Sequence, residues 1–423
     1  MDNDASLFGK KFFRKNLLES SVNFSQKVRY AYGYDPVITD YTPDKSDIRM
    51  RYNNIGAKAS LSSLTLDSTM LSYDFDIYYN FFHNDKNLFQ HNIGIDGIFA
   101  KSYKGFYVGS GISSVLYKPA DSLSLSSDFI LSLRPFIKKA TEQWNFMLGL
   151  QGLIDRSGNL HIYPDINFGF NVVPSYLRFF TGLSGKLERN EPFKIISENP
   201  YLESNQFPGF VPNGFLFRLP DTDHKLIISA GLKGNTGLKG NYLVSASYSL
   251  IDDMLFYSNL VFPDTLSPRA IGNYFIPLSE SGDLLNIHAE MNGAITDKLN
   301  FYWTADYYNY DIVGYAWNKP DWDGKIGLKY NLRDKIIAGM EFTAIGKRMQ
   351  IVNGDLLSMQ AGHISTVTEM PSHFNLNLSA EYRYSRILSI WTKFNNISTN
   401  RYYEWAYYPS QRFQFMLGFT YSL

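Results

Sequence analysis

The sequence contains no cysteine among its 423 residues. Disulfide bonds and thiolate metal sites are therefore excluded. An excess of charge of either sign is also missing, because 40 Lys and Arg residues balance 40 Asp and Glu residues. A neutral chain lacks the basic surface with which proteins bind nucleic acid, so we expect no nucleic-acid partner.

Long apolar runs and a secretion signal are missing as well. No stretch approaches the roughly 18 apolar residues of a transmembrane helix, and the mean hydropathy of −0.22 fits a helical membrane protein poorly. No linker rich in Pro, Ser or charge divides the chain. The first six residues carry neither the basic nor the apolar part of a signal peptide. Either such a peptide has been removed, or the chain begins partway into a longer protein.

Aromatic residues and a period of two dominate what is present. The chain has 31 Tyr and 32 Phe. In the last fourteen residues every second side chain is apolar or aromatic: Phe413, Phe415, Leu417, Phe419, Tyr421 and Leu423. Successive side chains of a strand point to opposite faces, and a tilted strand of about 9–11 residues crosses a bilayer. The alternation therefore favours a membrane strand over a soluble one.

The same alternation recurs from Leu17 onward, with short turns and longer polar loops in strict succession. This succession is typical of outer-membrane barrels. We therefore predict an all-β protein, a transmembrane antiparallel β-barrel of about 18 strands, in a single domain of residues 1–423. The predicted strands are 17–32, 47–62, 70–83, 87–100, 105–118, 125–138, 143–154, 160–171, 175–187, 222–233, 240–250, 283–294, 298–310, 321–331, 334–347, 372–384, 386–397 and 410–423.

The connections carry further expectations. Long extracellular loops are predicted near 188–222, 251–282 and 349–371, and the second is expected to hold a hairpin, 254–263 against 271–278. Residues 1–16 do not show a full strand pattern, and residues 7–16 are interpreted as the lower end of a strand whose upper part is missing. The strands near 17–32 and 410–423 would then be the two edges of the sheet.

A diffuse resemblance to a known family covers most of the chain. Asn396, Ile397 and Tyr402, followed by a last strand with Gly418, Tyr421 and Leu423, are similar to the end of TonB-dependent receptor barrels. The blocks 160–165 and 197–201 resemble porin-like, receptor-type barrels of Bacteroidetes. The resemblance implies a barrel of about 22 strands, with about four upstream of Met1. It is limited to the barrel portion, because we find no plug domain and no TonB box within these residues.

Charged residues on the second face of the strands are expected to line a water-filled lumen, because ionised groups are costly in a dry core. They form either a substrate path or a set of mutually paired charges on a wet wall. The predicted lumen-lining residues are Asp74, Asp76, Glu290, Asp306, Glu381, Arg383 and Lys393.

Catalytic and metal motifs are not found. The seven His include no i,i+4 pair and no zinc-protease motif, and no phosphate-binding loop, dinucleotide fingerprint or nucleophile elbow occurs. We therefore expect no enzyme activity, no cofactor and no metal site.

An aromatic loop precedes the last strand, and a second one lies upstream of it. These residues either stack on sugars, or cap a partner protein, or belong to the aromatic girdle at the membrane interface. The candidate ligand-binding residues are Tyr402, Tyr403, Trp405, Tyr407, Tyr408, Trp317 and Trp322.

Two hypotheses for function remain open. The first is an outer-membrane barrel that takes up or binds a nutrient ligand at the bacterial cell surface. The second is a scaffold barrel that transports nothing and serves an outer-membrane assembly, secretion or lipoprotein complex. The expected partners are the lipid bilayer and lipopolysaccharide, with a surface lipoprotein or a periplasmic energy-coupling protein.

Overall fold

A computed structural model describes residues 2–33, 44–46, 48–64, 70–85, 88–119, 127–202, 219–237, 239–260, 274–353 and 365–421. Leu423 and parts of the three predicted long loops, 203–218, 261–273 and 354–364, lie outside these residues. The described chain is all-β apart from one short helix, α1 (Pro192–Glu198).

Nineteen strands form one antiparallel sheet. They are β1 (Asp2–Phe12), β2 (Asn16–Tyr30), β3 (Arg49–Ser63), β4 (Ser72–Asn84), β5 (Phe89–Tyr103), β6 (Phe106–Pro119), β7 (Asp128–Ala140), β8 (Trp144–Ile154), β9 (Leu160–Val173), β10 (Leu177–Glu188), β11 (Thr222–Asn235), β12 (Asn241–Leu260), β13 (Tyr274–Ala294), β14 (Leu299–Ile312), β15 (Trp322–Leu332), β16 (Ile336–Ile345), β19 (His373–Arg383), β20 (Leu388–Asn395) and β23 (Gln414–Tyr421). Two small sheets pair β17 (Arg348–Asn353) with β18 (Ser365–Met370), and β21 (Tyr403–Trp405) with β22 (Tyr408–Pro409). All 18 predicted strands are present in the large sheet.

The nineteenth strand, β1, corrects the interpretation of residues 1–16. It pairs with β2 along its whole length, from Asp2 opposite Lys27 to Phe12 opposite Leu17. Because β2 also pairs with β3, it is not an edge of the sheet. Main-chain hydrogen bonds define a strand, and they do not require apolar alternation. The polar start of β1 is held instead by the Asp2 carboxylate, which accepts a 3.0 Å hydrogen bond from Arg29.

The chain divides into two compact units. Unit 1 comprises Met1–Ala31, Thr42–Phe168 and Gly182–Ile227, and unit 2 comprises Tyr32–Tyr41, Gly169–Thr181 and Ile228–Leu423. Among the described residues, no helix is long and apolar enough to cross a bilayer.

Unit 1 has one apolar and one polar sheet face. On the apolar face Ile77 lies opposite Ile95, and these side chains are 48% and 39% exposed. On the polar face Asp76 lies opposite Asp96 in the same two strands. Such a large exposed aliphatic surface is rare in soluble monomers and indicates contact with another apolar phase.

One cross-strand pair on the polar face of unit 1 depends on a glycine. The ring of Tyr78 in β4 lies directly across Gly94 in β5, so a Cβ at position 94 would overlap it. At Gly152 in β8, by contrast, an added Cβ would meet nothing within 4 Å.

Unit 2 repeats the division into faces. Tyr382, Ile390 and Phe419 form an exposed apolar row across β19, β20 and β23. The strands β12 and β13 continue past a bulge between Ile251 and Met254 and stay paired as far as Leu260 opposite Tyr274. The predicted hairpin of the 251–282 loop is therefore a direct extension of two strands of the large sheet.

Candidate functional site

In unit 1, the connection that follows β10 folds back over the polar sheet face. Pro192 stands at the start of α1, where its fixed φ suits the helix and its missing N–H costs nothing. The helix ends at Asn199 because the following residue, Pro200, disfavours the helical conformation before it. Ile195 and Ile196 are 0% and 2% exposed, so this short helix is packed and not solvated.

Two contacts fix the segment to the strands beneath it. The rings of Phe193 and Phe82 lie 5.7 Å apart between centroids, in a tilted arrangement. The Tyr52 hydroxyl donates a 3.2 Å hydrogen bond to the carbonyl oxygen of Pro200. The helix is thereby held at both ends, to β4 and to β3.

Arg189 is the buried cation of this region. Its guanidinium pairs with Asp128 at 2.7 Å and with Asp221 at 3.3 Å, and it lies 4.6 Å from the centroid of the Tyr117 ring. Burial opposes its charged form, but the two carboxylates outweigh burial, and the net effect raises the pKa of Arg189. The ion-paired guanidinium ties β7 to both ends of the long connection between β10 and β11.

Glu191 points from the start of α1 toward the strands. One carboxylate oxygen accepts a 2.6 Å hydrogen bond from Asn92 Nδ2, and the other accepts a 3.4 Å bond from the Tyr117 hydroxyl. The side chain makes no capping bond to the helix. Burial raises the pKa of Glu191, partly offset by the bonds from Asn92 and the charge of Arg189.

A cavity of about 180 Å³ lies between this segment and the strands. We call it the inner pocket. Its lining combines a carboxylate, amides, phenols, one ammonium group and two phenyl rings. The lining residues are Asn54, Tyr78, Asn80, Phe82, Gln90, Asn92, Val115, Tyr117, Glu191, Phe193 and Lys194.

The inner pocket thus offers hydrogen-bond donors and acceptors side by side, next to aromatic faces. Gln90 and Asn92 are 3% and 9% exposed, so their amides are shielded from bulk water. Shielded polar groups in fixed positions discriminate between ligands, because a ligand that leaves them unpaired pays their desolvation cost.

The predicted lumen-lining residues lie on polar strand faces, where many form local pairs. In unit 1 Asp76 pairs with Lys58 at 2.8 Å, two positions along β4 from Asp74. In unit 2 the His288 ring lies 2.9 Å from Asp306 and 3.6 Å from Glu290.

The other three lie on neighbouring strands of unit 2. Arg383 pairs with Glu381 at 3.1 Å, and the Lys393 ammonium lies 5.4 Å from the centroid of the Trp391 ring. Within the described part of the chain, no group of three or more His, Asp or Glu side chains is placed to hold a metal ion.

Two of the predicted aromatic loop residues, Trp405 and Tyr408, meet in unit 2, in what we call the loop cluster. Trp405 lies edge-on to Tyr257 and Phe275 at 5.8 and 5.2 Å, and Tyr408 is 1% exposed. These rings form a small core between the extended β12–β13 hairpin and the β21–β22 hairpin.

A buried arginine binds the loop cluster together. Arg348 donates hydrogen bonds to the carbonyl oxygens of Tyr403 and Glu404 at 2.6 and 2.5 Å. Its side chain is buried, and burial lowers its pKa to about 10. A single hydrogen bond of 2.6 Å from the Asn318 side-chain amide to the Tyr257 carbonyl adds a further tie.

The remaining predicted aromatic residues differ in exposure. Tyr403 is 44% and Trp322 39% exposed. Tyr402 stacks on His373 with centroids 4.1 Å apart, and Trp317 packs against Tyr315 at 5.2 Å. Tyr407 is half-buried and has a left-handed backbone, with φ 64°.

The sequence did not single out Glu191, Asn92 or Arg189, which the structure brings together. The segment around Arg189 and Glu191 was predicted only as a long extracellular loop, and Asn92 only as part of the strand 87–100. The sequence did contain a signal for this segment. Pro192 followed by Ile195 and Ile196 is the pattern of a short packed helix, because a solvated loop does not need two adjacent apolar residues.

Known proteins resemble the chain in structure rather than in sequence. No protein-family model matches it, and no curated protein does. Among solved structures it is similar to the copper transporter OprC, with a TM-score of 0.65 and 11% identity over 100% of this chain and 72% of that one. It is also similar to the siderophore receptor PirA from Acinetobacter baumannii, with a TM-score of 0.68 and 10% identity over 100% and 71%.

A third similar structure is the ferripyoverdine receptor of the outer membrane of Pseudomonas aeruginosa, solved with ferripyoverdine bound. Its TM-score is 0.65 and its identity 12%, over 99% of this chain and 65% of that one. Identities this low establish a shared fold. The chain therefore has the fold of an outer-membrane β-barrel, as its strand pattern and its resemblance to TonB-dependent receptors predicted.

Proposed function

We propose that the chain is a receptor-like barrel of the bacterial outer membrane that binds and takes up a small hydroxylated nutrient. The polar sheet faces would line the lumen and the apolar faces would meet lipid. The observation that carries the proposal is the inner pocket, because its shielded amides, phenols and Glu191 carboxyl converge on one cavity.

The composition of the pocket favours a polyol or sugar over an ion. A hydroxyl group both donates and accepts, and it therefore suits a wall of mixed amide, phenol and carboxyl groups. The rings of Tyr78, Phe82 and Phe193 offer apolar faces on which a sugar ring can stack. A simple anion would meet the acceptor atoms of Glu191, and a simple cation would meet Lys194.

The volume sets the size of the group that fits. Pockets for drug-sized ligands measure about 300–1,000 Å³, whereas the inner pocket holds about 180 Å³. A single sugar ring, or the hydroxylated end of a larger ligand, is the expected occupant.

Calorimetry on the purified full chain in detergent tests the proposal, with a panel of hexoses and N-acetylhexosamines as probes. At least one sugar should bind, and Asn92→Leu should abolish the binding. Asn292→Ala, on the polar face of unit 2, is the matched control and should bind as the unaltered chain does. No heat from any sugar, or full binding by Asn92→Leu, would contradict the assignment.

The loop cluster supports a second candidate function, a scaffold for a surface protein. Its loops are held in place by Arg348 and by buried aromatic packing, so they present a preformed surface that includes exposed Tyr403. A photo-crosslinking side chain at Tyr403 should then capture one defined partner in cells. A variant of the chain that loses this crosslinked product and keeps its sugar binding unchanged would separate the two functions.

A further inference from the structure

Two neighbouring turns of unit 2 border a cavity that the proposed function does not use. One turn joins β15 to β16, and the other joins β19 to β20. Because β16 pairs with β19, from Ile336 opposite Tyr382, the two turns lie side by side at one end of the sheet. The cavity that they line has a volume of about 710 Å³, and sites for small molecules measure about 300–1,000 Å³. We call it the turn pocket.

Basic side chains dominate the lining of the turn pocket. Both of its carboxylates are already engaged. Asp334 accepts a 2.6 Å hydrogen bond from the Asn331 side-chain amide, and Glu381 pairs with Arg383 at 3.1 Å. The pocket is therefore left with an excess of positive charge. Its charged lining residues are the cations Arg333, Lys335, Arg383 and Arg386 and the acids Asp334 and Glu381.

The arginines at the tips of the two turns have no partner of their own. Arg333 and Arg386 are exposed, and within the described residues neither side chain forms a hydrogen bond or an ion pair. The Lys335 ammonium is held only by the Tyr384 carbonyl, at 3.5 Å. Like charges that face one cavity repel each other, so an anion bound between them would be stabilised by both turns.

Arg333 occupies a position that does not suit its side chain. The Lys335 N–H closes this turn with a 3.0 Å hydrogen bond to the Leu332 carbonyl, and Arg333 and Asp334 have left-handed backbones, with φ of 54° and 55°. Such positions favour Gly, Asn and Asp. Asp334 meets this preference and Arg333 does not, so the turn itself gains nothing from an arginine. Residues held in such conformations cluster at ligand-binding sites.

The floor of the turn pocket lies on the polar face of the sheet. Arg383, Ser389 and Thr420 form one row across β19, β20 and β23, and all three line the pocket. Each follows or precedes a residue of the exposed apolar row described above, so it points to the opposite face. Short turns lie at the periplasmic end of an outer-membrane barrel. The turn pocket would thus open to the lumen at that end, away from membrane lipid.

We infer that the turn pocket binds a small polyanion, a molecule that carries two or more phosphate or carboxylate groups. The planar guanidinium fork of Arg matches either group with two parallel hydrogen bonds. Arg333 and Arg386 approach the pocket from different turns, so a ligand with several anionic groups can engage both. The inference depends on the fold of unit 2 and not on the sugar specificity of the inner pocket.

Calorimetry on the full chain in detergent tests the inference, with pyrophosphate and citrate as probes and methyl phosphate and acetate as single-group controls. At least one polyanion should bind at least tenfold more tightly than its single-group control. Exposed ion pairs contribute a factor of about three each, so R333Q/R386Q should weaken this binding about tenfold. The matched control, K239Q/K298Q, removes two positive charges from other short turns of unit 2 and should leave the affinity unchanged.

Glu381→Gln should change the affinity in the opposite direction. It removes a negative charge from the pocket and releases Arg383, so the polyanion should bind about threefold more tightly, which a misfolded variant would not show. Failure of both polyanions to bind, or equal weakening in R333Q/R386Q and K239Q/K298Q, would overturn the inference. Polyanion binding without any sugar binding would contradict the proposed function alone.

Discussion

Replacing Ile195 with alanine should release from the sheet the segment that follows β10 and contains Arg189, Glu191 and α1, which we call the inward-folded segment. Ile195 is 0% exposed in α1, and this helix has only seven residues. Isolated helices of that length are not stable in water, so packing must hold it in place. The substitution removes packing while it leaves Arg189 and Glu191 with all their polar partners.

The size of the effect follows from burial. Truncating a fully buried Ile to Ala costs about 2–5 kcal/mol, which includes the cavity left behind. Each 1.4 kcal/mol is a factor of ten, so the opening equilibrium of the segment should rise about 30-fold or more. The large sheet should be unaffected, because its strands keep their own main-chain hydrogen bonds.

Hydrogen–deuterium exchange measures the opening of the segment directly at the Asn199 amide, which donates a 2.8 Å hydrogen bond to the Ile195 carbonyl. Ser197→Ala is the matched control, since Ser197 lies in the same helix and is exposed. Amides of α1 should exchange at least 30-fold faster in Ile195→Ala and at an unchanged rate in Ser197→Ala. Equal exchange in Ile195→Ala and the unaltered chain would refute the packing argument.

Three further predictions concern other contacts. Gly94→Ala should destabilise the protein by about 1–3 kcal/mol in equilibrium unfolding, because the new methyl group overlaps a phenol ring, whereas Gly152→Ala should not. Arg348→Met should speed amide exchange in the β21–β22 hairpin at least tenfold, because two charged hydrogen bonds worth about 1.5–3 kcal/mol each are lost, and exposed Arg401→Gln should not. The raised pKa of Glu191 means that the folded chain binds more protons than the unfolded one. The inward-folded segment should therefore be held less strongly against the sheet as pH rises above about 4.3 and through the folded pKa. Glu191→Gln should remove this trend, measured as amide exchange rates of α1 corrected for the intrinsic pH dependence of exchange.

The strand framework was predictable because alternation is local. Each strand from β2 to β23 in the large sheet shows its apolar and its polar face in the alternation of its own residues. The strand β1 does not, since its first residues are polar on both faces and its pairing with β2 is a property of two segments together.

The site was not predictable, because it depends on contacts between distant residues. The Tyr52–Pro200 hydrogen bond joins positions 148 apart. Nor does sequence separate two of the four tyrosines of the aromatic loop, Tyr403, which is 44% exposed, and Tyr408, which is 1% exposed. Tyr408 is buried because Phe275 of β13 packs against it and against Trp405 of the same loop.

The assignment of the two sheet faces is the central claim, and the absence of native cysteine allows a clean test of it. Ile95 and Asp96 are neighbours in β5 and lie on the apolar and polar faces. Each would be replaced singly, as Ile95→Cys and Asp96→Cys, in chains reconstituted into lipid nanodiscs. A membrane-impermeant maleimide should label the Asp96→Cys variant and spare the Ile95→Cys variant, whereas equal labelling of both would contradict the account.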